Sequence, residues 1–432
     1  YFSRPTCFAW KGRSLRFFRS LLDGIFDSDG IVRSDVDVVS LWGLRQLCEY
    51  MYKLAFTFTA DKQRAACSNY RSLEQSLLGL SFDRVWVESL RKNFETYYPE
   101  ASRLTVSDIF AANRPRHGPG SFAGSHLWDI PYYVWKLLPS AFTGTTTRMF
   151  KPFSGFFRAY PSDPERITLA EDEDPTCDVL FVPKDSRGPR VISKEPPHLL
   201  RAQLSYFDTL SSTLERITSG RINFRDQTVN QQLAIAASID KRMATLDLKD
   251  ASDRVTLRLV AGIFRHSPGL LRFVRNYRST HARLPDGGRL PLYKLSGMGS
   301  GLTFPTMALV IHLSVCTYVS KRYAIPYKDC MRQVYVYGDD LIVPSEWYQD
   351  AISALGCSGL QVNRDKCFVN SNFRESCGAD AFAGNRIEPV RLRLHNASLG
   401  SPEPVLNIGP SGILELERHC RELHQAGLLT LK

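Results

Sequence analysis

The sequence predicts an α+β fold, and three observations lead to it. The first 170 residues carry helical patterns of apolar residues, and from Met243 onward strand and helix patterns are mixed. Residues Gln333–Pro344 read as two β-rich runs joined by a tight turn. We therefore expect an antiparallel sheet backed by helices within residues 241–395, preceded by mostly helical chain.

The composition fits a folded protein that meets a polyanion. Of the 432 residues, 43% are hydrophobic and 23% are charged, which excludes a disordered or collagen-like chain. The formal net charge of +11 favours a polyanionic partner, although basicity alone is weak evidence. The ten cysteines include no C-x-x-C pair, so we expect neither a zinc site nor a disulfide framework. Because the chain begins with Tyr1, we expect an incomplete start.

The N-terminal region, residues 1–180, is predicted to be helical. Patterns at Val38–Ala55 and Tyr70–Phe94 are typical of amphipathic helices, with Pro/Gly-rich connections after them. A short strand is expected at Val179–Val182. It opens a basic segment, residues 181–240, whose first positive charges are Lys184, Arg187, Arg190 and Lys194.

Residues Met243–Leu248 suit a strand, which places Asp247 near its end. We expect Ser252 to cap the following helix, whose apolar residues Val255, Leu259 and Ile263 recur every four positions. Asp253 then lies in the first helical turn, where a carboxylate also suits the helix dipole without any further role.

A glycine-rich turn, Ser296–Gly301, leads into an apolar helix from Thr303 to Val319. Pro305 is tolerated in the first turn of such a helix. The uncharged stretch Leu295–Ser320 is long enough to suggest a membrane span, but it contains a proline, a histidine and three glycines. We therefore predict a buried helix and no membrane partner.

The hairpin at Gln333–Pro344 turns at Gly338–Asp339, and glycine in the first position is typical of a type II′ turn. It places Asp339 and Asp340 at the tip. Two interpretations remain open for the hairpin alone, a simple turn with a solvated charge or a functional carboxylate pair. Asp247, at another strand end, favours the second. Three acids on one edge suggest hard cations, and two Mg²⁺ ions about 3.5 to 4 Å apart can clamp the oxygens of a phosphoryl transfer.

The order of these segments resembles motifs A, B and C of viral RNA-dependent RNA polymerases. The matching stretches are Thr245–Asp253, Ser296–Phe304 and Tyr337–Asp340. Further matches lie at Arg116–Gly120, Val182–Lys184, Lys194–Pro196, Asp226–Gln231 and Phe373–Gly378. Together they are similar to the replicase subunit of leviviruses, the single-stranded RNA bacteriophages, and they run in family order from about residue 116 to 392.

The resemblance implies a right-hand polymerase with fingers, palm and thumb. The fingers would comprise the residues before 241 and an insertion near 265–295, the palm residues 241–395 and a short thumb residues 396–432. In the last range, Ser411 as cap, Ile413–Leu423 as amphipathic segment and Gly427 as stop predict one helix.

The resemblance also assigns roles to residues. Asp247 and Asp339 would hold two Mg²⁺ ions, or Mn²⁺ as a substitute, with Asp340 as a further ligand. Asp253 would sense the ribose 2′-hydroxyl, and Ser296 and Gly297 would let template and ribose approach the backbone. Lys184, Arg187, Arg190 and Lys194 would contact the triphosphate. Lys366 would protonate pyrophosphate, although a lysine at this position is also compatible with simple solvation.

The same resemblance implies partners: a single-stranded RNA template, nascent RNA and nucleoside triphosphates in the cytoplasm of an infected bacterium. Relatives recruit the host elongation factors Tu and Ts and a ribosomal protein. The sequence departs from relatives at Lys249 and Asp250, and we predict that Asp250 is a surface charge.

Two rival interpretations deserve comparison. A reverse transcriptase places an aromatic residue shortly after the first aspartate, whereas Lys249–Arg254 contains none. A non-catalytic RNA-binding protein with a degenerate palm would have no use for clustered carboxylates, which repel one another without cations. Dependence on Mg²⁺ separates this rival from an enzyme.

Overall fold

The computed structural model has a mixed helix-and-sheet fold, as predicted. It describes residues 10–11, 14–15, 19–53, 59–112, 174–185, 188–392 and 410–426. The predicted motif at Arg116–Gly120, the basic residue Arg187 and the helix stop Gly427 lie outside the described residues. The division into fingers, palm and thumb stays a prediction.

The helices of the described residues come mostly from the first third and the middle of the chain. They are α1 (Arg19–Asp23), α2 (Val38–Glu49), α3 (Ala60–Leu78), α4 (Arg84–Tyr97), α5 (Pro99–Ser102), α6 (Val106–Ala112), α7 (Pro197–Ile217), α8 (Thr228–Asp240), α9 (Ala251–Arg254), α10 (Leu257–Ile263), α11 (Pro268–Asn276), α12 (Thr303–Tyr323), α13 (Tyr327–Met331), α14 (Tyr348–Cys357) and α15 (Pro410–Gln425).

The strands in the described part of the chain form five small sheets. They are β1 (Trp10–Lys11), β2 (Ser14–Leu15), β3 (Thr176–Asp185), β4 (Gly188–Lys194), β5 (Met243–Leu246), β6 (Leu248–Lys249), β7 (His281–Arg283), β8 (Arg289–Pro291), β9 (Tyr335–Tyr337), β10 (Asp340–Pro344), β11 (Gln361–Val362), β12 (Phe373–Ser376), β13 (Ala379–Phe382) and β14 (Asn385–Arg386). The sheet orders are β1-β2, β5-β10-β9, β11-β6, β12-β13-β14 and β4-β3-β7-β8.

The central sheet is antiparallel, with β10 between β5 and β9. The predicted hairpin is confirmed, since Tyr337 pairs with Asp340 and only two residues connect the strands. Gly338 has a φ of 65°, the positive value that the first position of a type II′ turn requires. In the sheet of order β4-β3-β7-β8, β7 pairs with residues 176–178 at the start of β3, so residues 281–291 join this sheet and not the central one.

Helix α12 forms the centre of the hydrophobic core. Most of its residues are buried, and it packs against α4, α7 and α14. By length and composition it could cross a membrane, but 83% of its most apolar window is buried inside the protein. The predicted buried helix at Thr303–Val319 is confirmed and extends to Tyr323, followed by Ala324 in a left-handed conformation.

The buried His312 of α12 is expected to make the folded protein less stable in acid. It is fully buried, its Nδ1 lies 2.6 Å from the Tyr98 hydroxyl, and burial lowers its pKa to about 4. The unfolded chain, with a histidine pKa of about 6.5, therefore binds the proton more readily below that pH. Stability from this residue is present at pH 7 and is lost as the pH falls towards 4, by about 3 kcal/mol.

The comparison of wild type with His312→Asn isolates this effect, because the asparagine amide can replace Nδ1 as the partner of Tyr98. Urea unfolding at pH 7 and pH 4 should show a smaller acid loss in the variant. Equal losses in the two proteins would contradict a neutral, buried His312.

Two helix predictions in the N-terminal region are wrong in extent. The single pattern at Tyr70–Phe94 is divided between α3 and α4, because Asp83 caps a new helix by accepting a hydrogen bond from Trp86 N at 2.7 Å. Helix α2 ends at Glu49 and not at Ala55, and the Tyr50 carbonyl accepts its hydrogen bond from Leu392 N. The strand expected at Val179–Val182 is longer and forms β3.

Two predicted helix caps are also wrong. Ser252 lies inside the short helix α9, and Thr256 caps α10 by accepting from Leu259 N at 3.1 Å. The helix breaks here because Val255 and Leu257 exchange backbone hydrogen bonds with residues 293–295. Ser411 likewise lies inside α15, which begins at Pro410; proline suits a first turn because it has no N–H to leave unpaired.

Candidate active site

Three carboxylates lie at one edge of the central sheet. Leu246, the last residue of β5, pairs with Leu341 of β10, so the antiparallel register places Asp247 opposite Asp340. Residues directly opposite in such a pair have Cβ atoms about 5 Å apart. Asp339 occupies the adjoining turn and is exposed. The sheet therefore brings together the three acids singled out in the sequence.

The surroundings of Asp247 and Asp340 oppose the ionisation of these two acids. The pKa of Asp340 is raised to about 7, mainly by burial and also by the Asp339 and Asp247 carboxylates, while the Cys377 backbone N–H, which donates to Oδ2 at 3.2 Å, acts in the opposite direction. Burial also raises the pKa of Asp247, against the lowering effects of Lys366 and Asn363. The edge thus concentrates negative charge that a cation would stabilise.

The donors fit a hard divalent cation. Carboxylate oxygens are the ligands that Mg²⁺ prefers, and the like-charge repulsion at Asp340 is the kind that such an ion relieves. In the described ranges, no three His, Cys, Asp or Glu side chains converge closely enough to hold a metal in this conformation. Asp247, Asp339 and Asp340 therefore share a sheet edge, and their side chains do not form a closed ligand set.

Asn363 is a site residue that sequence reasoning missed. Its side-chain amide donates to Asp247 Oδ2 and its backbone N–H to the Asp247 carbonyl, both at 2.9 Å. Asn363 therefore fixes the orientation of the carboxylate. Its position three residues before Lys366, to which the sequence resemblance assigns a role, was the available signal.

Lys366 is half-buried and not simply solvated. Its side chain is 39% exposed, and Nζ donates to Glu375 Oε1 at 3.3 Å. Burial alone lowers the pKa of Lys366, but the Glu375 and Asp247 carboxylates outweigh burial and raise it. The ammonium is therefore retained close to the Asp247 carboxylate.

The glycine-rich loop packs tightly against β4. Ser193 N donates to the Met298 carbonyl at 2.7 Å, and a methyl group built on Gly297 would overlap the Ser193 side chain. Gly299 has a φ of 112°, which side chains rarely adopt. Ser296 is buried, and its hydroxyl lies 2.8 Å from that of Thr303. Close packing is thus the structural reason for these glycines.

Because β4 is joined to this loop, it brings part of the basic segment next to it. Arg190 is exposed and Lys194 half-buried on β4, and their even spacing places both on one face of the strand. Lys184 lies on β3 where the pairing with β4 is irregular. Arg187 is outside the described residues, so the predicted basic set is only partly placed.

Asp253 and Asp250 differ sharply in environment. Asp253 Oδ1 lies 2.8 Å from Nζ of Lys294, a fully buried lysine that sequence reasoning did not single out. Asp250 is exposed in a left-handed conformation, which confirms the predicted surface charge. Asp253, inside α9, is therefore a paired acid, whereas Asp250, just before that helix, is a solvated one.

The fold and this edge of acids define a class of protein, an α+β protein with clustered carboxylates at a β-hairpin. Residues 162–407 match the model of the family "RNA replicase, beta-chain". This match covers more than half of the chain, and the protein belongs to that family.

The relatives are bacteriophage proteins. The chain is 33% identical over 217 residues to the RNA-directed RNA polymerase subunit beta of Qbeta virus (strain MX1), covering 50% of this chain and 35% of that protein. It is 32% identical over 266 residues to the RNA-directed RNA polymerase subunit beta of Enterobacteria phage SP, covering 61% of this chain and 43% of that protein. It is 33% identical over 215 residues to the RNA-directed RNA polymerase beta chain of Escherichia phage MS2, covering 50% of this chain and 37% of that protein. The chain thus spans less than half of these relatives.

Among solved structures, the RNA-dependent RNA polymerase of a human picorbirnavirus matches with a TM-score of 0.48 and 11% identity. The match covers 80% of this chain and 66% of that chain.

Proposed function

We propose that this chain carries the catalytic palm of an RNA-directed RNA polymerase. The observation that carries the proposal is the placement of Asp247, Asp339 and Asp340 on one sheet edge in a chain of the RNA replicase beta-chain family. The reaction is template-directed attack of an RNA 3′-hydroxyl on a nucleoside triphosphate, with release of pyrophosphate.

Asp247, Asp339 and Asp340 would hold two Mg²⁺ ions, or Mn²⁺ in their place. Such ions, when bound, polarise the attacking and leaving oxygens of an in-line phosphoryl transfer. Asn363 orients the Asp247 carboxylate, since it donates two hydrogen bonds to that residue.

The remaining predicted residues would bind the nucleotide. Asp253 accepts a hydrogen bond from the ribose 2′-hydroxyl, and the loop at Ser296 and Gly297 admits the ribose and template close to the backbone. The positive charges that neutralise the triphosphate are those of Lys184, Arg187, Arg190 and Lys194.

Lys366 would donate a proton from Nζ to the departing pyrophosphate. Its half-buried ammonium near Asp247 supports this role. An unchanged pH–rate profile in Lys366→Leu would exclude it.

We also propose the right-hand division, with fingers before residue 241 and near 265–295, palm at 241–395 and thumb at 396–432. In the infected bacterial cytoplasm the protein would replicate a single-stranded phage RNA, together with elongation factors Tu and Ts and a ribosomal protein. The names of the relatives support a beta subunit of a larger assembly.

The test is incorporation of labelled nucleotides on a single-stranded RNA template with Mg²⁺, with and without added bacterial extract. The wild type should incorporate label, and the Asp339→Asn, Asp340→Asn double variant should lose this activity because two of the three clustered carboxylates are neutral. Activity that survives in the double variant, or a wild type that binds RNA but stays inactive even with extract, would contradict the proposal.

A further inference from the structure

A buried ammonium group lies behind Asp253. Lys294 is 0% exposed, and its Nζ lies 2.8 Å from Asp253 Oδ1 and 3.2 Å from Glu74 Oε1. The same Nζ lies 3.9 Å from the centre of the Tyr70 ring. One lysine therefore contacts a palm carboxylate, a carboxylate of helix α3 and an aromatic face.

Burying the Lys294 ammonium is unfavourable unless other groups compensate for its lost hydration, and the groups that do so here also hold it in place. Removing an ammonium from water costs several kcal/mol unless charges and hydrogen bonds replace the lost hydration. The two carboxylates and the ring supply that replacement, and Glu74 Oε2 also accepts from Tyr293 N at 2.8 Å. Burial alone lowers the pKa of Lys294, but Asp253, Tyr70 and Glu74 raise it above its usual value, so the lysine stays charged.

The backbone fixes the lysine in relation to Asp253. Lys294 forms an isolated bridge with Thr256, and the neighbouring Leu295 N donates to the Val255 carbonyl at 2.7 Å. The segment that carries Lys294 therefore cannot shift without moving the chain just after Asp253. The Asp253 side chain itself is 17% exposed, so it is accessible to a ligand while Lys294 occupies Oδ1.

We infer that Lys294 is a positioning residue for ribose selection: its ammonium, anchored by Glu74 and Tyr70, holds the Asp253 carboxylate in place to accept the 2′-hydroxyl of the incoming nucleotide through Oδ2. The inference rests on the proposed function. Tyr70 and Glu74 precede the residues that the family model matches, so helix α3 would extend the site beyond that region.

The experiment measures kcat/KM for ATP and for 2′-deoxyATP on one RNA template, with the melting temperature recorded for every variant. Lys294→Met removes the charge but keeps the length of the side chain. Loss of one hydrogen bond to a charged group is expected to lower the ATP to 2′-deoxyATP preference about tenfold. The value of kcat/KM should fall for ATP and change little for 2′-deoxyATP.

Four further variants separate positioning from stability. Asp253→Asn should lower the preference by a similar factor, and combining it with Lys294→Met should add no further loss. Glu74→Gln removes the anchoring charge on the same ammonium but leaves the contact between Lys294 and Asp253 in place, so it should lower the nucleotide preference less than Lys294→Met does. If Lys294→Met does not fold, Lys294→Met with Glu74→Gln gives the same measurement without a buried, unpaired Glu74.

The outcomes are distinct. A lowered melting temperature with an unchanged nucleotide preference in the lysine variants would overturn the inference and leave the polymerase proposal standing. A wild type that polymerises neither nucleotide would overturn the proposed function and the inference with it.

Discussion

Replacement of Asp247 by asparagine is expected to lower nucleotide incorporation about a thousandfold. The carboxylate lies opposite Asp340 on the sheet edge and is oriented by Asn363. An amide has nearly the same shape but no charge for a divalent cation, and a loss of about 4 kcal/mol of transition-state stabilisation corresponds to that factor. Single-turnover incorporation of labelled nucleotide at saturating Mg²⁺ measures it.

Asp250→Asn is the matched control for this variant. It makes the same chemical change three residues away, at an exposed position in a left-handed conformation that asparagine tolerates. Its activity should equal that of the wild type, and both variants should unfold at similar denaturant concentrations. Similar losses of activity in the two variants would contradict a specific role for Asp247.

Gly338→Ala is expected to destabilise the protein by about 3 kcal/mol and to abolish most incorporation. A left-handed residue with a side chain costs about 1 to 2 kcal/mol, and overpacking a core commonly costs a similar amount. Both costs apply because Gly338 has a φ of 65° and an added methyl group would overlap the Phe304 ring. Phe304 belongs to α12, so the strain would move the tip that carries Asp339. Urea unfolding and the incorporation assay measure the two effects.

Gly220→Ala separates the two costs. Gly220 has a φ of 76°, but an added methyl group there meets no atom within 4 Å. This variant should therefore lose only the backbone contribution, about 1 kcal/mol, and keep its activity. Equal destabilisation at the two glycines would show that the contact with Phe304 contributes nothing.

The features that could be predicted from sequence depend on residues close together in the chain. The turn at Gly338–Asp339 follows from the conformation that glycine allows, and the buried helix α12 follows from a long uncharged stretch. Asp247 at a strand end is likewise a local pattern. These expectations are confirmed because propensity and hydrophobic pattern agree with the tertiary packing at each of them.

The errors arise where distant segments supply the hydrogen bonds. The expected helix start at Ser252 is wrong because Val255 and Leu257 form backbone hydrogen bonds with residues 293–295. Helix α2 ends earlier than expected because the Tyr50 carbonyl accepts a hydrogen bond from Leu392 N. Neither partner can be identified from the local pattern. A capping sequence indicates only the local preference for a helix end, and it does not show whether a distant segment will form hydrogen bonds with that backbone.

The sequence by itself determined the class of fold, the hairpin that carries Asp339 and Asp340, and the acids that could serve a polymerase. Only the tertiary structure decided which carboxylate oxygens contact which donors. It placed Lys294 between Asp253 and Glu74, and Glu74 lies 220 positions before Lys294 in the chain. The physical reason is burial: an ammonium removed from water requires compensating charge, and the folded chain supplies it from whichever segments it brings together.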